Sequence, residues 1–239
     1  MTRKLFRSLD RSGVEYLLIS GQASVLYGGA QFSENVDLWI RPTARNVGRL
    51  IKALTALRAR VHKLTPPMSL RNLNRGHGFH FVIPDLPSVY LDLMGVPPRA
   101  PSFEEAASRA VVMDSDWGRL PVAALVDLIE VKKTRRLADY EIISNLTEIR
   151  MQQSPDRTKA LLRWAVRNSF RFHDRLRYLR ALGIRKPESA VRSEIAREIV
   201  RLQKRDEAYW RPIVAELRRF RRTGKLLPAG TLVAGLRLR

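Results

Sequence analysis

The chain has 239 residues, 45% of them hydrophobic and 28% charged, which is enough apolar content for a packed core and too much for a disordered chain. It contains no cysteine, so disulfides, thiolate zinc sites and a cysteine nucleophile are excluded. Lys and Arg total 44 against 23 Asp and Glu, and the resulting net charge of +21 favours a polyanionic partner, nucleic acid first.

Most of that excess lies late in the chain: residues 151–239 carry +15 and residues 1–150 the remaining +6. Segment 1–12 is charged and has no leader-like apolar stretch, and no apolar run approaches the roughly 20 residues a spanning helix needs. A cytoplasmic protein with no membrane association is expected.

Residues 14–20, Val-Glu-Tyr-Leu-Leu-Ile-Ser, predict a buried strand that turns sharply at Gly21. A short helix over 22–28 follows, ending near Gly28 and Gly29. Residues 36–41 predict a second strand, with Val36, Leu38 and Ile40 on one face and Asp37 and Trp39 on the other. Thr43 is placed to cap a helix carrying Val47, Leu50, Ile51, Leu54 and Leu57.

Two further strands, 79–83 and 89–94, are separated by a turn at 84–88. Prolines make 97–102 a loop, and a helix over 103–110 and a β-rich segment near 119–123 come next. Segment 124–149 predicts a helical pair, near 124–136 and 139–149. Ser154 and Pro155 predict the start of another helix, and only helix follows to about Arg222, broken once at Gly183 and Pro187. The tail after Lys225 predicts irregular chain. The fold class is α+β (mixed α/β): a sheet with helices over 1–150, then a basic helical region over 151–239.

Three stretches carry candidate chemistry. The first is Ser20-Gly21-Gln22-Ala23 followed by Phe32-Ser33-Glu34-Asn35-Val36-Asp37-Leu38-Trp39-Ile40. A strand-borne acid such as Asp37 is costly to bury without a partner, and Asp92 in Tyr90-Leu91-Asp92-Leu93-Met94 has the same setting. The second is the run from Leu125 to Leu146, in which Lys132, Arg135 and Arg136 fall on one helix face by spacing, with Asp139 either capping the next helix or pairing with Arg136. The third is Arg75-Gly76-His77-Gly78-Phe79-His80-Phe81, which holds two of the four histidines.

The first stretch resembles the nucleotidyltransferase superfamily, in which a strand ends in a Gly-rich turn and the next strand carries Asp-x-Asp. The Lys132–Asp139 segment is similar to one in bacterial toxin–antitoxin-linked nucleotidyltransferases of the abortive-infection type. The resemblance spans roughly residues 13–150. It implies a nucleotidyltransferase-like core sheet and transfer of a nucleotidyl group from an NTP. Asp37 and Asp92 would be the catalytic and metal-binding acids for Mg2+, with Asn35 where the family has its first aspartate. Gly21, Gln22, Lys132, Lys133, Arg136 and His80 would bind the nucleotide. The acceptor implied is tRNA or another structured RNA, and a cognate toxin or antitoxin protein is implied as a partner.

The residue types suit that chemistry. Hard cations take carboxylate oxygens, and residues two apart on a strand share a face. Two divalent ions, about 4 Å apart, clamp attacking and leaving oxygens in such reactions. Asn35 can ligate but brings no charge, so either the site works with weakened metal binding or the chain is a catalytically inactive binding module on the same fold. In the basic region, Lys159, Arg163, Arg167, Arg171 and Arg175 recur every four residues and would spiral round one helix. With Arg218 and Arg222 they are the candidate nucleic-acid contacts, against the alternative of a solvated helix surface.

Overall fold

The structure, a computed structural model, describes residues 2–235. Strands β1 (Tyr16–Ile19), β2 (Asn35–Ile40), β3 (Arg60–Val61), β4 (Gly78–Ile83), β5 (Leu86–Met94), β6 (Val111–Ser115) and β7 (Gly118–Val122) form one mixed sheet, in the order β3-β4-β5-β2-β1-β7-β6. β2 runs parallel to β5 and β1 parallel to β7, and the other neighbouring pairs are antiparallel. The mixed α/β expectation holds.

One face of the sheet is apolar. Leu18, Val36, Leu38, Ile40, Phe79, Phe81, Leu91 and Leu93 are buried there in the main core. Helix α1 (Arg3–Arg11) covers that core with Leu5, Phe6 and Leu9, and α3 (Ala44–Ala56) with Val47, Leu50 and Leu54. The predicted cap is present, since Thr43 accepts the Asn46 N–H at 3.3 Å. Helix α1, strands β3 and β6 and the short α4 (Leu70–Asn74) were not anticipated from sequence. Helix α1 carries its apolar stripe, Leu5, Phe6 and Leu9, inside a charged segment, and β3 and α4, at two and five residues, are too short for a period to show.

Between these lie α2 (Ser20–Leu26), directly after β1, α5 (Phe103–Ser108), α6 (Leu125–Val131) and α7 (Leu137–Gln152). The helical region then runs α8 (Lys159–Asn168), α9 (Phe172–Ala181) and α10 (Glu188–Arg222). The helix expected from Ser154 starts later, with Thr158 accepting the Leu161 N–H at 3.2 Å. The anticipated arginine spiral is interrupted at 169–171. There Ser144 Oγ of α7 accepts the N–H groups of Phe170 at 2.9 Å and Arg171 at 3.2 Å, and Thr147 donates to the Asn168 carbonyl at 3.0 Å. Those contacts divert the backbone from its helical ladder.

The main core does not stop at residue 150. Phe170, Leu176, Leu179, Val191, Ile195, Leu202 and Val233 belong to the same hydrophobic cluster as Leu38 and Leu91. The chain after α10 returns to the sheet edge, where Leu227 bridges Thr65 and Leu232 bridges Arg60. Residues 236–239 of the expected irregular tail lie outside the described residues.

Helix α10 is fastened to the loops at the polar end of the sheet. Gln203 donates to the Arg135 carbonyl at 3.0 Å, and Asp206 accepts the Arg135 N–H at 3.2 Å. Asp206 also faces Arg99 at 3.6 Å. Tyr209 donates to the Val96 carbonyl at 2.7 Å, and Glu216 meets His77 at 2.8 Å. Asp206 is 1% exposed, so its removal leaves the Arg135 N–H without its acceptor and takes the carboxylate away from the Arg99 guanidinium. We predict that Asp206→Ala lowers stability in urea unfolding by about 3 kcal/mol, and Asp206→Asn by less, because the amide oxygen still accepts from Arg135.

Candidate functional site

The parallel pairing of β2 with β5 sets Asp37 opposite Asp92, and the antiparallel pairing of β5 with β4 sets Asp92 opposite His80. With β1 pairing Ile19 to Asp37, the row across the sheet is Ile19, Asp37, Asp92, His80. Because side chains alternate along each strand, Asn35, Asp37, Asp92 and His80 all leave the face opposite the main core. Asn35, Asp37, Asp92 and His80 are each half-buried.

The polar groups of the row already engage one another. Asn35 Nδ2 donates to Asp92 Oδ2 at 3.2 Å, and the His80 Nδ1–H donates to Asp92 Oδ1 at 2.6 Å. Both Asp92 oxygens therefore accept from the protein. Asp37 is pushed up to about 6, chiefly by loss of water around its carboxyl and then by the Asp92 charge, while Lys132, the Ser20 hydroxyl and Arg136 pull the other way.

Lys132 is 3% exposed and donates to Asp139 Oδ1 at 2.9 Å. Asp139 also accepts from Thr134 and, at 3.0 Å, from Arg136 Nε. Burial pushes the Asp139 carboxyl up, but Lys132, Thr134 and Arg136 together outweigh it and hold it below its ordinary value. The basic cluster is not on one helix face, as its spacing suggested. Lys132 caps the end of α6, Arg136 precedes α7, and a turn bonded to Asp206 joins them. Asp139 pairs with Arg136 rather than capping α7. Lys133 is buried and pairs with Glu130.

At the β1–α2 elbow Ser20 adopts φ +59°, a left-handed conformation uncommon outside glycine. Gly21 is needed there for space, since a Cβ would lie 2.1 Å from Ser33 Oγ. Gln22 ties the same loop by donating to the Ser33 carbonyl at 2.6 Å. His77 is fully buried against Glu216, away from the row. Trp39 donates to the Gly95 carbonyl at 2.9 Å and packs edge-on to Phe103, so it is a core residue.

Of the basic-region candidates, Arg163, Arg167, Arg218 and Arg222 are exposed. Arg171 is half-buried and pairs with Asp174 and Glu141. Arg175 was expected on an exposed stripe but is buried, donating to the Ser169 carbonyl at 2.8 Å and to Glu198 at 3.0 Å. The break before α9 turns it inward.

Sequence reasoning gave no role to Ser20 and Thr134, although both lie in its candidate stretches, and missed Arg99 and Asp206. Asp206 left a readable signal, since it falls on the same helical stripe as Val191, Ile195, Leu202 and Ile213. Ser20 left none, because only the elbow geometry turns its hydroxyl toward Asp37.

A divalent ion sets a demand on the donor set. Among the described residues no group of three or more His, Cys, Asp or Glu side chains converges as a metal site. Two carboxylates in register and an adjacent amide remain, and an amide turned over presents Oδ1 where Nδ2 now donates. That chemistry fits one hard cation and lacks the charge for two.

No family model matches the chain, and no curated protein matches it. Among solved structures, the antibiotic-resistance factor ANT(2'')-Ia is similar at 14% identity, covering 92% of this chain and 94% of that chain, with a TM-score of 0.36. A likeness at that TM-score carries no weight for this chain's activity.

Asp37 yields a pH prediction. The folded protein holds the Asp37 proton more tightly than the unfolded chain does, so the contribution of Asp37 to stability is greatest at low pH and falls as pH rises from about 4 to about 6. Above that, the fold carries the full cost of an ionised Asp37. Asp37→Asn should therefore stabilise the protein by on the order of 2 kcal/mol near pH 7.5, with the gain fading below pH ~6 in chemical denaturation.

Proposed function

We propose that the chain transfers a nucleotidyl group from an NTP to a structured RNA such as tRNA. The observation that carries this is the row Asp37–Asp92–His80 with Lys132 beside it: two acids on adjacent parallel strands, in register, next to a buried cation. A purely structural sheet face would not place two carboxylates together, because each raises the cost of ionising the other.

In this proposal an acceptor hydroxyl attacks the α-phosphorus, the bond to the α–β bridging oxygen breaks, pyrophosphate leaves, and the hydroxyl proton passes to a site carboxylate. Asp37, Asp92 and a turned Asn35 amide would hold Mg2+, which supplies positive charge to the phosphates when bound. Lys132, fixed by Asp139, offers a point charge to the triphosphate, and Arg136 a second. Gly21, Gln22, Lys133 and His80 remain proposed nucleotide contacts. The net charge supports a polyanionic acceptor. A toxin–antitoxin role with a cognate protein partner is proposed from the sequence resemblance alone.

A second reading is a non-catalytic module on the same fold. It is favoured by Asn35 Nδ2 donating to Asp92, which fills with a protein donor the position a metal would take.

The test is incubation of the parent and Asn35→Asp with Mg2+, each labelled NTP and total tRNA. Label on RNA from the parent supports transfer with the amide in place, and Lys132→Ala should then reduce it by about tenfold or more. Label from the variant alone means an intact site silenced by Asn35. Label on neither, with RNA still bound, removes the catalytic reading. Asn35→Asp brings a third carboxylate to the row, so it should also melt lower than the parent without Mg2+ and gain more from adding it, as thermal denaturation would show.

A further inference from the structure

Helix α10 has two faces of opposite chemistry. At about 100° per residue, Val191, Ile195, Leu202, Asp206, Ile213 and Glu216 fall on one side, and all are buried. On the far side Arg197, Arg201, Lys204, Arg211, Arg218 and Arg222 fall within an arc of about 100°, and all are exposed. From Arg197 to Arg222 the stripe runs about 38 Å. Ala208 and Ala215 fill its gaps, and Glu207, Val200 and Arg219, which pairs with Glu216 at 3.2 Å, lie at its borders. Among the described residues, Arg201 alone of the six pairs with a carboxylate, Glu198 at 3.5 Å.

We propose that this outer face of α10 is a docking track for double-stranded RNA, held through its phosphates. The proposal rests on the structured-RNA acceptor above and adds the surface and the form of the RNA. Three features select the partner. A protein interface needs apolar or aromatic anchors at its centre, and this arc offers two alanines there. Single-stranded nucleic acid is held on aromatic platforms, and the arc has none. Tyr209 and Phe220 face inward, to the Val96 carbonyl and the His77 ring. No Asn or Gln lies on the arc to read base edges. A rod of cations of one sign, without base readers, suits a duplex recognised by shape and backbone. The inner face of the same helix holds the Lys132–Arg136 turn through Asp206 and Gln203, so the track and the candidate site share one rigid element.

The experiment is fluorescence anisotropy of the full chain with a labelled mixed-sequence RNA duplex, without NTP, across a salt series. Two triple variants neutralise the first and second halves of the stripe: Arg197, Arg201 and Lys204→Gln, and Arg211, Arg218 and Arg222→Gln. Each should weaken binding about tenfold or more and flatten the log–log salt slope by about 2 to 3, near 0.9 for each phosphate no longer neutralised. Arg3, Arg7 and Arg11→Gln removes equal charge from the exposed side of α1 and should leave the slope nearly unchanged. An equal loss in that control overturns the track, as does tighter binding of single strands than of duplex. Displacement of the duplex by poly-glutamate as effectively as by competing duplex would assign the face to an acidic protein instead. Labelling is scored separately. Normal duplex binding with no label removes the transfer proposal alone, and normal labelling with unchanged slopes in both triples removes the track alone.

Discussion

The parallel pairing of β2 with β5 places Asp37 directly opposite Asp92, and most of the candidate site follows from that register. A shift of one residue would turn Asp92 into the apolar core and bring Leu91 or Leu93 out beside Asp37. The register is fixed by the other face, where Val36, Leu38, Leu91 and Leu93 are buried together. The core thus positions the chemistry, since burying one set of alternate residues forces the other set into a polar row.

Two acids side by side need compensation. Part comes from Lys132, which acts on Asp37 while Asp139 holds it in place. Part comes from Asn35 and His80, whose N–H groups satisfy both oxygens of Asp92. An amide at position 35 lowers the local negative charge and so relieves the metal-free fold. In the proposed transfer chemistry the same amide would hold a cation less strongly than a carboxylate, so stability and metal affinity would be opposed at this one side chain.

Helix α10 joins the site to the surface. Its inner side carries Asp206, Tyr209 and Glu216 into the loops at the polar end of the sheet, and its outer side presents mainly small and cationic residues, bordered by Glu207 and Val200. The chain beyond it covers the edge at β3, which would otherwise leave backbone donors and acceptors unpaired.

The strands and longer helices of the first 150 residues were legible because their apolar residues follow periods of two and 3.6 over enough length. Alternation put Val36, Leu38 and Ile40 on one face and Asp37 on the other, and the sheet agrees. Alternation could not say which strands are neighbours, so Asp37, Asp92 and His80 were separate candidates until pairing brought them into a row. Local spacing likewise misread Lys132–Arg136 as one helix face, because the turn there is held by Asp206, 71 residues away from its partner Arg135. It misread Arg175 as exposed, because Ser144 breaks the helix ahead of it. What the sequence by itself determined were the properties that depend on near neighbours: element type, face polarity and the basic balance. What only the tertiary structure decided were the contacts between distant residues, since a side chain's burial, partner and pKa depend on groups that the chain order does not place beside it.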